Sequence, residues 1–151
     1  MVNNSTIERN AGDDFRLEFV GVFSQNRNVP PHVHSAMELV YVMDGNCVSN
    51  MESGESTTFS AGTGMCYVIP PHIRHDQKGR CSTVFVNFAL SETACPKKML
   101  LLDTASDRYL RRWFTDLAEL SRHGMLPESR PLAEAIWRRA RGFCDRAEKN
   151  D

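Results

Sequence analysis

Along the first part of the chain apolar and polar residues alternate, and along the last part they recur at helical intervals. Phe15-Arg16-Leu17-Glu18-Phe19 alternates strictly, the period of a strand with one buried face. Leu39-Val40-Tyr41-Val42-Met43 is continuously apolar and rich in β-branched and aromatic residues, and Asp44-Gly45 after it reads as a turn. Ser56 to Phe59 predicts a shorter strand. Met65-Cys66-Tyr67-Val68-Ile69 predicts another, closed by Pro70-Pro71, which cannot donate to a ladder. Thr83 to Phe88 is a further run of the same kind. Short strands punctuated by Gly, Pro, Asn and Asp predict a mainly β domain, a sandwich or barrel.

After Leu90 the period changes. Ser91 to Pro96 reads as a linking loop, and Ser106 as the cap of a helix with Leu110, Trp113, Phe114, Leu117 and Leu120 on one face. His123-Gly124 supplies its stop. A second helix is expected to start near Ser129-Arg130-Pro131, with Pro131 in its first turn and Leu132, Ile136, Ala140 and Phe143 on one face. Residues 1–14 are polar and read as a flexible arm, 15–90 as the β-domain, and 91–151 as linker and helical pair of the same domain. Residue parity adds one constraint. Val40 and Val42 share the parity of Glu38 and should face inward, whereas Leu39, Tyr41 and Met43 face the other way. That second face is too apolar for water, so the helices or a partner subunit must cover it.

At 151 residues the chain suits one domain with a real core. A formal net charge of −1 gives no global attraction to nucleic acid. No apolar run is long enough to span a membrane, and the N-terminus has no apolar segment of the signal-peptide kind. The five cysteines fit no zinc spacing and read as buried thiols of a protein in the reducing cytosol.

The candidate chemistry lies in Pro30-Pro31-His32-Val33-His34-Ser35-Ala36-Met37-Glu38. On a strand, residues two apart share a face, so His32 and His34 would present their imidazoles side by side, a pair suited to Zn, Fe, Cu or Ni. A straight strand would carry Glu38 about 20 Å from His32, at roughly 3.3 Å per residue. Metal bonds of about 2 Å cannot bridge that distance. Glu38 joins the pair only if the chain bends at Ser35-Ala36-Met37 and Glu38 opens the next strand. His75, after Pro70-Pro71-His72-Ile73-Arg74, is the fourth candidate. His72 reads as a rim residue that could carry protons near neutral pH. Tyr41, Tyr67 and Phe85 are candidates to line a ligand cavity.

The spacing His32-x-His34-x3-Glu38-x6-Gly45 resembles the first cupin motif, and Gly64-x5-Pro70-x4-His75 resembles the second. The resemblance implies a cupin (double-stranded β-helix or jelly-roll) barrel followed by two C-terminal α-helices. It also implies His32, His34, Glu38 and His75 as ligands of a divalent transition metal such as Zn, Fe, Mn or Ni. The chain departs from the pattern in three places: no glycine stands between Gly21 and His32, Met65 follows Gly64, and His72 occupies a place where glycine is common. His34 through Val42, Ile69-Pro70-Pro71, Val84 to Phe88 and the two helices look more narrowly like the N-terminal effector-binding and dimerisation domain of AraC-type transcriptional regulators. That likeness implies a small-molecule effector and a homodimer formed through the helices, with no direct contact of this domain with DNA. The alternative is a metal-dependent cupin enzyme, a dioxygenase, isomerase or lyase. The sequence offers few further acids or bases for it, and no catalytic residue is singled out.

Overall fold

The computed structural model describes residues 14–24, 28–53 and 55–149, so the expected N-terminal arm lies almost wholly outside the described residues. Eight strands come first: β1 (Arg16–Phe23), β2 (Val29–His32), β3 (Met37–Ser53), β4 (Glu55–Gly62), β5 (Cys66–Ile69), β6 (Arg74–Gln77), β7 (Cys81–Ala89) and β8 (Leu100–Leu102). Two helices follow, α1 (Arg108–Arg122) and α2 (Leu126–Lys149). All strand pairings are antiparallel. One layer runs β1-β7-β3-β5-β8, and the other joins β2 to β6, β6 to β3, and β3 to β4.

Strand β3 serves both layers. The expected stop at Asp44-Gly45 is corrected here: the chain bends at a bulge between Val42 and Asp44 and continues as strand to Ser53. Gly45 takes φ +91°, and a Cβ there would lie 2.1 Å from the Arg80 carbonyl oxygen. Only glycine can make this corner. The ladder resumes at once, with the Asn46 amide donating to Arg80 O at 3.1 Å.

The parity reading holds. Leu39, Tyr41, Val84, Val86 and Phe88 form one core with Leu110, Phe114, Leu117, Ile136 and Trp137 of the helices. Val40, Val42, Tyr67 and Ile69 belong to a second core inside the barrel. The ring of Tyr41 stacks on Phe114 at 4.7 Å, and that of Phe88 meets Trp137 at 5.0 Å. Each such aromatic pair adds about 0.5–1.5 kcal/mol beyond the burial of its area. The apolar stripe of α1 is thus spent on the chain's own barrel.

Two helix starts differ from expectation. Asp107, not Ser106, caps α1: its Oδ1 accepts from the amides of Tyr109 (2.9 Å) and Leu110 (3.0 Å), satisfying donors that have no partner within the helix. Helix α2 begins at Leu126, before the predicted Ser129, so Pro127 takes the first-turn position and Pro131 lies deeper in the helix. The Ser129 hydroxyl donates to Met125 O at 2.7 Å and holds that first turn. Strand β8, between the linking loop expected at Ser91 to Pro96 and the first helix, was not expected, and it pairs with β5, Cys66 opposite Leu102. Three residues are too few to show a period.

Candidate metal and ligand site

The site forms where β2, the β2–β3 bend, β3, β6 and β7 meet. Strand β2 ends at His32, which lies opposite His75 of β6. Ser35 and Ala36 form the bend required by the distance argument, and Glu38 stands second in β3. His72 takes φ +65°, the left-handed conformation that favours glycine, which accounts for the departure noted at this position. Its amide donates to His34 O at 2.9 Å and ties the His75 turn to the His34 loop.

One ring nitrogen from each of His32, His34 and His75 lies within 4.8 Å of the others. In every ring Nδ1 faces a backbone carbonyl: Pro30 O at 2.9 Å, Ala36 O at 3.0 Å and Ile73 O at 2.7 Å. A carbonyl only accepts, so Nδ1 carries the proton and the neutral ring presents the Nε2 lone pair. The Nε2 atoms of His34 and His75 are buried with no hydrogen-bond partner among the described residues. They face the two carboxylate oxygens of Glu38, at 3.4 Å from His34 and 3.6 Å from His75.

Acceptor set against acceptor is unfavourable unless positive charge lies between them. Either second protons on the rings or a metal cation would supply it. The groups respond in that sense. Burial pushes the Glu38 carboxyl up, but His34 and His75 outweigh burial and hold it at about 2. The Glu38 carboxylate facing it is the largest cause raising the His34 imidazole above its ordinary value, against the opposing effect of burial. A buried carboxylate, three lone pairs and backbone-oriented rings fit a divalent cation. Adjacent ligand atoms on one such ion stand about 3.0–3.4 Å apart, given bonds of about 2.1 Å, so the rings would have to draw together to hold it.

These residues form the polar end of a cavity of about 230 Å³. Tyr67 and Phe85 are among the residues that line it. Tyr41 does not, because its odd parity puts it on the helix side against Phe114. His72 is exposed on its turn and also lies off the wall. The cavity adds residues that the sequence reading missed: Phe19 and Phe23 of β1, Gln77 of β6 and Asn87 of β7. Cross-strand register was the missing signal, since Asn87 pairs with Glu38 on one side and Phe19 on the other. At the closed end, the Tyr67 hydroxyl donates to Gln77 Oε1 at 2.9 Å and accepts from Ser49 Oγ at 3.2 Å. Burial pushes this phenol well above its ordinary range.

Residues 9–80 match the family model described as Cupin domain. With the architecture above, the fold is a cupin barrel carrying two C-terminal helices. Among solved structures, a Bacillus subtilis oxalate decarboxylase studied for its Mn(II) centres is 17% identical, with a TM-score of 0.42. The alignment covers 48% of this chain and 20% of that one. Two mutants of the same enzyme are 18% and 16% identical, each with a TM-score of 0.42, over 50% and 51% of this chain and 21% and 23% of theirs. The chain thus spans about a fifth of the length of these enzymes. No curated protein sequence matches the chain.

Proposed function

We propose that this cupin domain binds a small molecule beside a divalent transition metal held by His32, His34, His75 and Glu38. We further propose that it serves as the cytoplasmic sensing module of an AraC-type regulator or a free-standing relative. The observation that carries the metal reading is a cluster of three imidazoles beside a cavity, with one ring nitrogen of each within 4.8 Å of the others, and with the Nε2 atoms of His34 and His75 buried, without a hydrogen-bond partner among the described residues, and facing the Glu38 carboxylate. Zinc, iron, manganese or nickel suits a set of imidazoles with one carboxylate. The bound ion would supply a Lewis-acidic centre for a ligand oxygen or nitrogen.

The sensing role rests on connectivity. Glu38 and Asn87 look into the cavity, while their chain neighbours Leu39, Val86 and Phe88 pack in the same core as Phe114 and Trp137 of the helices. Occupancy of the barrel would therefore bear on the helical pair through one sheet. A homodimer formed through the helices belongs to this reading and would use outward residues such as the exposed Leu126 at the start of α2 and Met125 in the turn before it. No helix among the described residues is long and apolar enough to cross a membrane.

The test is metal content of protein purified without chelator, then after exposure to Zn, Fe, Mn and Ni salts. Stoichiometric binding that His75→Ala abolishes and Glu38→Ala weakens supports the reading. A wild-type protein that takes up none of the four overturns it. The enzyme alternative is favoured by one observation, the cavity lying directly against the three imidazoles; turnover of a bound compound by metal-loaded protein would establish it over sensing.

A further inference from the structure

The cavity wall away from the histidines is built from three phenyl rings. On β1 and β7, Phe19 pairs with Asn87, Gly21 with Phe85, and Phe23 with Thr83. These positions alternate along each strand, so Phe19, Gly21 and Phe23 share a face with Phe85 and Asn87. Gly21 has no side chain, and the Phe85 ring fills its place: a Cβ there would lie 2.1 Å from Phe85 Cζ. Phe85 is thereby laid between Phe23, with centroids 5.0 Å apart, and Phe19, at 5.7 Å. Phe19 is 56% exposed, so the aromatic surface runs from the interior to the mouth.

The polar groups of the lining are mostly spoken for. Tyr67 and Gln77 satisfy each other, and the Gln77 amide also donates to Thr83 Oγ1 at 3.3 Å. Asp76 Oδ1 accepts from the Asn50 amide at 2.9 Å, and Oδ2 pairs with Lys78 at 3.8 Å. Asn87 Oδ1 is different: it is buried and has no hydrogen-bond partner among the described residues. Among the described residues no lysine or arginine lines the cavity. Away from the imidazole end an anion-rich ligand would find no compensating lysine or arginine, and an unpaired buried acceptor asks for a donor.

We infer that the ligand of this cavity is a small, uncharged molecule with an aromatic or flat apolar body and an O–H or N–H group that donates to Asn87. The body lies on the Phe19–Phe85–Phe23 wall, and the donor sits one register step away, next to Glu38. This deepens the small-molecule reading above and rests on it.

The test titrates four single-ring or small-acid probes by NMR into the metal-loaded and the chelator-treated protein: benzyl alcohol, benzyl methyl ether, benzylammonium and malonate. Benzyl alcohol should bind about tenfold more tightly than its ether, the scale of leaving a buried acceptor unpaired. The cation and the dianion should bind more weakly than the alcohol. Asn87→Leu should bring alcohol and ether within about twofold of each other, and Phe85→Ala should weaken both. Tightest binding by malonate or benzylammonium in either form, or equal affinity for alcohol and ether in the wild type, overturns the inference. The wild-type ranking stands even if a variant fails to fold. Failure of the metal reading shows separately, as absent metal uptake, because the ranking is also measured without metal.

Discussion

Replacing Gly21 by alanine tests the aromatic wall through stability alone. The new Cβ would lie 2.1 Å from Phe85 Cζ, 2.4 Å from Cε1 and 2.9 Å from Phe19 Cε1, so the Phe85 ring must leave its place. Overpacking of this kind costs about 1–3 kcal/mol, while alanine in a strand interior recovers about 0.5–1 kcal/mol relative to glycine. The net expectation is a loss of up to about 2.5 kcal/mol, centred near 1 kcal/mol. Truncating Phe85 removes the two closest contacts and leaves only the edge of the exposed Phe19 ring, which can swing aside. In a Phe85→Ala background Gly21→Ala should therefore change sign and stabilise by about 0.5–1 kcal/mol. Urea unfolding of the wild type, both single variants and the double variant measures this coupling. If Gly21→Ala stabilises the wild type, or destabilises both backgrounds equally, the ring does not occupy the glycine's place and the reasoning fails.

Asp107→Ala should cost about 1–2 kcal/mol, from loss of the α1 cap and of the pair with Arg139 at 2.8 Å. Burial pushes the Asp107 carboxyl up, but the Arg139 hydrogen bond and the helix amides outweigh it and hold the group below its ordinary value of 3.8. Its contribution is then present above that ordinary value and lost as pH falls through the depressed one; Asp107→Asn should keep most of the cap and flatten this acid-side slope in pH-dependent unfolding. Cys81 and Cys144 are buried, which pushes both thiols up to about 12, and Cys66 is raised further by the same cause. In native protein at mildly alkaline pH the half-buried Cys95 should alkylate first, read by peptide mass mapping, and early labelling of Cys66 would contradict the packing of the helices on the sheet.

Much of the site was legible because its logic is local. The parity of Val40 and Val42 with Glu38 separated the two faces of β3, and chain length against bond length required the bend at Ser35 and Ala36. Tyr41 was misjudged as a cavity residue although its parity already set it against the helices. Asp44-Gly45 was misjudged for another reason: the same dipeptide serves a hairpin and a bulged corner, and only the partner strand β7, with the Arg80 carbonyl pressed against Gly45, distinguishes them.

By itself the sequence determined the mainly β domain with two helices after it, the inward and outward faces of β3, and the candidate set of three imidazoles and one carboxylate. The elements and the faces of β3 follow from periodicity within short windows, whereas His75, about forty residues from His34, joined the set as a ligand through the resemblance to the cupin motifs. Tertiary structure alone decided how strands distant in sequence align: that Asn87 neighbours both Glu38 and Phe19, that Gly21 makes room for Phe85, and that two Nε2 atoms are buried without hydrogen-bond partners among the described residues. Register between distant strands and burial of single atoms depend on the whole packed molecule, and no local pattern of residues encodes them.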